Sequence, residues 1–131
     1  MTDFKDTLYQ ALEELGCRPG RFSFDAQSPI VMNFSDIEDI HIEPGESVSI
    51  WGMLPDMEAG NASHGLSDLM QELATPADFL AAGGFVVRRS EQQRFLVGGP
   101  LTVDHASNAG LLAIAIQTMY ERMAQLRERM R

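Results

Sequence analysis

The sequence is short of several things, and each shortage closes a class of function. It has one cysteine, Cys17, in 131 residues. No internal disulfide can form, and the pattern of a secreted, cross-linked scaffold is absent. No apolar run approaches the ~20 residues needed to span a bilayer, and the opening MTDFKDTLYQ lacks the apolar stretch of a signal peptide. A reducing cytoplasmic setting without membrane insertion is expected. Between Phe22 and Val87 there is no Lys or Arg, while Asp25, Asp36, Glu38, Asp39, Glu43, Glu46, Asp56, Glu58, Asp68, Glu72 and Asp78 all fall in that stretch. With a net charge of −9, the chain lacks the basic stripe that nucleic acid requires. The acidity has two readings, plain solubility or a negative field that speeds encounter with a basic segment.

Catalytic and cofactor patterns fail on residue type or spacing. There is no GxxxxGK[ST] phosphate cradle, and Gly98-Gly99-Pro100 reads as a strand terminus. A calcium loop begun at Asp36 would put Ile40 at a ligand position and His41 where Gly is needed. His41, His64 and His105 form no metal-spaced pair with one another or with Cys17. No catalytic residue, metal or cofactor is expected. Two groups keep an enzyme reading open: Cys17 beside Arg18 at a helix end, and His105 near a helix start.

What is present is an ordinary globular composition, 44% hydrophobic and 22% charged, in one domain spanning residues 1–131. Phe4, Leu8, Ala11, Leu12 and Leu15 recur at helical spacing, with Gly16 placed to close the helix in the left-handed conformation. Alternation then marks three strands. Ile30, Met32 and Phe34 share one face of the first. Ile40 and Ile42 stand opposite Asp39, His41 and Glu43 in the second, and Val48, Ile50 and Leu54 oppose Trp51 and Met53 in the third. Something must cover Trp51. Leu66, Leu69, Met70 and Leu73 stripe a short helix, too short to stand alone in water. Two strands follow, Phe85 to Arg89 and Arg94 to Val97. Leu112, Ile116, Met119, Met123, Leu126 and Met130 then give a 3.5-residue period to one helix from about Asp104 to Arg131. The order α-βββ-α-ββ-α, with short turns between strands, predicts an α+β fold with a twisted, mainly antiparallel sheet packed by helices.

This order, the size and the acidity resemble class I type III secretion chaperones. LEELGCRPGRF, SPIVMNFSDIEDIHIEP and ESVSIWGMLP are similar to the class IB, multi-effector (InvB/SpaK-like) group. The resemblance implies a homodimer joined through the second helix and next strand, here Leu66, Leu69, Met70, Leu73, Phe79, Leu80, Phe85 and Val87. It also implies apolar patches that take the N-terminal chaperone-binding segment of secreted effectors in extended form. Those fall on Leu15, Phe22, Phe24, Ile30, Met32 and Phe34, with Trp51 and Met53 as a second patch. Binding would keep the segment unfolded and soluble and direct it to the export apparatus and its ATPase, with no ATP hydrolysis by the chain itself. Against this stand the small enzyme above and a general peptide-binding adaptor of the same fold.

Overall fold

The computed structural model describes residues 4–16, 30–32, 37, 39–44, 46–54, 71, 73–89 and 94–129. The expected α+β arrangement is found. Helix α1 (Phe4–Glu14) precedes strands β1 (Ile30–Met32), β2 (Ile40–Glu43) and β3 (Ser49–Met53). Then come β4 (Val86–Arg89), β5 (Phe95–Pro100), and helices α2 (Val103–Ser107) and α3 (Ala109–Arg129). Of the helix expected around Leu66 to Leu73, Gln71 and Leu73 are described, and both are helical.

Helix α1 ends as its residues dictate. Gly16 takes φ +85°, and its N–H reaches the Glu13 carbonyl at 3.0 Å, a left-handed close that a side chain would disfavour. All four strand pairings are antiparallel, in the order β1-β2-β3-β5-β4. The first three strands form the expected meander. The later hairpin inserts β5 beside β3 and leaves β4 at the margin.

One face of the sheet packs on helices. Ile40 and Ile42 of β2, Ile50 of β3 and Val97 of β5 meet Leu8, Ala11 and Leu12 of α1 and Leu112, Ile116, Met119, Met123 and Leu126 of α3. The alternation read in β2 and the 3.5-residue stripe of the last helix both point into this core. Each such aliphatic side chain contributes about 1.5–3 kcal/mol by burial. Gly52 lets α3 approach closely, since a Cβ there would run into the Met123 side chain.

Two expectations are corrected. The single C-terminal helix is two helices, because Asn108 adopts φ −117°, ψ 123°. Its N–H closes α2 on the Asp104 carbonyl, and its Oδ1 accepts from the Leu111 N–H at 3.0 Å to cap α3. The expected end of the last strand at Val97 moves: β5 runs on through Gly98-Gly99-Pro100, which form its terminus as read and pair with Trp51, Ile50 and Ser49. Gly98 has φ +154°, and a Cβ on it would strike the Ile50 carbonyl oxygen. Only glycine fits that crossing.

Candidate functional site

Three surfaces remain once the core is assigned. The first is the sheet face away from the helices. By register it carries Val31, His41, Glu43, Ser49, Trp51, Met53, Val86, Arg88, Leu96 and Gly98. On it Arg88 of β4 stands 4.2 Å from the Trp51 ring centroid and binds both oxygens of Glu43 of β2, at 2.8 and 3.0 Å. Strands β5 and β3 lie between these partners, so in a flat sheet they would be three spacings apart, about 14 Å. They are also offset along the strands. Glu43 pairs with Ser49 and Ser49 with Pro100, whereas Arg88 pairs with Leu96. The side chains meet because the sheet is curled, so this face is concave.

The cover that Trp51 demanded is therefore supplied in part by a cation. Its ring is 7% exposed, and its Nε1–H donates to Ser49 Oγ at 2.9 Å. Hydrogen bonds from the Arg88 guanidinium hold the Glu43 carboxyl below the usual carboxylate range, outweighing the upward push of burial; the Arg88 charge and His41 add to the lowering. His41 Nε2 is buried with no hydrogen-bond partner among the described residues.

The second surface is the pair of sheet margins. On β1, Ile30 and Met32 turn into the core and Val31 is 47% exposed. On β4, Val86 and Val87 are 44% and 45% exposed. Among the described strands, β1 and β4 each have a neighbour on one side only. Such margins offer unpaired backbone groups to another chain.

The third surface is a groove of about 750 Å³ between the C-terminal end of α1 and the first turns of α3. Leu15, Leu111, Ala113 and Ile114 line it, with Glu14, Asn108, Gly110, Gln117 and Thr118. Ile114 is 58% exposed there.

The residues expected to bind an effector thus separate. Leu15 lies in the groove, and Ile30 and Met32 are core. Trp51 and Met53 are on the concave face, Trp51 buried and Met53 half-buried. Phe22, Phe24 and Phe34 lie outside the described residues, as do Leu66, Leu69 and Met70 of the expected dimer set. Of the rest of that set, Phe79 and Leu80 are buried within the chain itself. Thr102 N–H bonds the Phe79 carbonyl at 3.1 Å, Ala81 N–H bonds Pro100, and Leu80 bridges to Leu101. Leu73 and Phe85 are half-buried, Phe85 with its ring edge-on to Phe79 at 6.1 Å, and Val87 is exposed.

Of the two groups that kept an enzyme reading open, one is described. His105 serves a helix cap. Its N–H donates to Thr102 Oγ1 at 3.0 Å, and its ring Nδ1 is 2.6 Å from the same hydroxyl. The Ser107 hydroxyl donates back to the Val103 carbonyl at 2.7 Å. Cys17 and His64 lie outside the described residues. Among those described, no three His, Cys, Asp or Glu gather as metal ligands, and no helix is long and apolar enough to cross a membrane.

Sequence reasoning missed Leu111 and Ile114, which sit off the buried stripe of α3. It also missed the Arg88–Glu43 bridge, which depends on strand order.

Structural comparison finds similar chains of the same fold, two of which illustrate it. One is the Yersinia pestis type III secretion chaperone SycH, solved in complex with a stable fragment of YscM2. Its TM-score is 0.62 at 14% identity, with 94% of this chain and 98% of that chain covered. The other comes from the heterodimeric ExoU–SpcU complex of the Pseudomonas aeruginosa type III secretion system, with a TM-score of 0.51 at 15% identity, covering 96% and 97%. No curated protein sequence matches the chain. The model of the Invasion protein B family matches residues 16–91, more than half of the 131. The chain belongs to the Invasion protein B family, and with it to the type III secretion chaperones.

Proposed function

We propose that this chaperone acts as a homodimer in the bacterial cytoplasm. In this reading it holds the N-terminal segment of secreted effectors extended and soluble and delivers it to the export apparatus, without chemistry of its own. The observation that carries the reading is the family match together with two separate sheet margins. The free side of β1, with Val31 outward, suits strand addition by an extended effector segment, where backbone bonds give affinity and pockets give selectivity. Ordering such a segment costs free energy, so contact must extend beyond one strand. Phe22, Phe24, Phe34 and Met53 are proposed to enlarge that contact, and Leu15 continues it toward the groove. The β4 margin, with Val86, Val87 and Phe85, supports the dimer, joined by Leu66, Leu69, Met70 and Leu73. The acidity of the stretch from Phe22 to Val87 favours encounter with basic segments.

Co-expression with a candidate secreted effector tests the reading. Co-purification of that protein through its N-terminal segment, with the chaperone eluting as a dimer by light scattering, is expected. A strict monomer that retains no secreted protein would overturn it. Val87→Asp should shift the dimer toward monomer without unfolding it.

A further inference from the structure

We infer that the α1–α3 groove is a separate anchoring site for a client segment that carries an apolar side chain next to a Lys or Arg. This rests on the chaperone reading and specifies what one part of the client must contain. The groove's size lies within the roughly 300–1,000 Å³ range of ligand clefts. Its floor is aliphatic, from Leu15, Leu111, Ala113 and Ile114, and Ile114 leaves more than half its surface in water where its own helix has ample polar alternatives. That combination recognises an apolar side chain.

The charge at the rim selects what stands beside it. Among the described residues lining the groove, Glu14 is the only charged one and none is a cation. Glu13 follows the same turn of α1 and is exposed. The start of α3 already has its Leu111 N–H taken by Asn108 Oδ1. Gly110 keeps the floor low beside Glu14, since a Cβ there would come within 3.7 Å of its carboxylate and 3.3 Å of Asn108 Oδ1. Glu14 is thus left to face an incoming charge, and Gln117 and Thr118 supply neutral hydrogen-bonding groups along the same wall. A second copy of this chain is a poor occupant. It brings another net charge of −9, whose field opposes Glu14.

The test uses the full chain with methyl-labelled Ile and Leu, titrated with three short synthetic peptides of identical apolar anchor flanked by Arg, Gln or Glu. The Arg peptide should shift the Ile114 and Leu111 methyl signals, bind more tightly than the Gln peptide, and lose about three- to fivefold in affinity with Glu14→Gln. The Glu peptide should bind most weakly. Ile114→Asp, a change at an exposed position, should abolish the shifts while leaving the thermal midpoint unchanged. Equal binding of all three peptides, indifference to Glu14→Gln, or no response of Ile114 overturns the inference. If a co-purifying effector binds Ile114→Asp as well as the unaltered protein, the groove proposal falls and the chaperone reading stands. If the peptides behave as expected but no secreted protein is retained, the chaperone reading falls and the groove stands as a peptide site.

Discussion

The two faces of the sheet are built from different forces. The helical face buries Ile40, Ile42, Ile50 and Val97 under α1 and α3, with scarcely a polar atom involved. The concave face buries Trp51 under a guanidinium that is itself held by a carboxylate. Apolar burial is insensitive to salt, whereas a half-exposed ion pair weakens as salt screens it. The helical face therefore supplies stability and the concave face supplies a setting that pH and salt can adjust. The single Trp lies on the concave face, so its fluorescence reports that face alone, while far-UV circular dichroism follows the helices.

The largest test strikes the hinge between the faces. Gly98→Val would drive a side chain into the Ile50 carbonyl and force an unfavourable φ, at a cost of about 4 kcal/mol or more. We expect no soluble folded protein; a folded variant with normal Trp emission would show that the curl does not depend on Gly98. Next comes the helical face. Leu112→Ala should cost about 2–5 kcal/mol in denaturant unfolding. Both optical signals should move together, because one buried cluster joins the sheet to α1 and α3. Asn108→Ala removes the α3 cap and should cost about 1 kcal/mol. Retention of full stability would mean the break between α2 and α3 is held by packing instead.

The smallest effect is the most discriminating. Arg88→Gln should cost about 0.5–1 kcal/mol, raise Trp51 exposure to acrylamide quenching, and lose its effect in high salt. The sign of the pH response follows from Glu43. Its folded pKa is lowered from 4.5, so its contribution is complete above that value and is lost as pH falls through the depressed folded value. Glu43→Gln should remove that acid-side loss while leaving Leu112→Ala's penalty unchanged. If stability below about pH 4.5 falls equally in Glu43→Gln, the bridge is not the acid-sensitive element.

Much of the architecture was legible because it is local. Gly16 closes α1, alternation sets the faces of β2 and β3, and the 3.5-residue stripe from Leu112 to Leu126 marks the core side of α3. What was not legible depends on distant pairing or on competing local signals. Asn108 precedes the stripe that begins at Leu112, so periodicity carries no signal for the break there. Phe79 and Leu80 read as an apolar patch in search of a partner, yet the partner is residues 100–102 of the same chain. Ile30 and Met32 were equally apolar as surface or core, and β2 and the helices decide it. The groove arises where the two ends of the chain meet, and Ile114 carries no mark of it in the sequence.

That meeting of ends has a consequence for biosynthesis. Helix α1 leaves the ribosome before the other described elements and packs on α3, which leaves after them. Until residues up to Leu126 have emerged, Leu8, Ala11 and Leu12 have no helix to bury them. The β3–β5 pairing must likewise wait for a closure of some forty residues between Met53 and Leu96. A nascent copy therefore passes through a period with the apolar stripe of α1 uncovered.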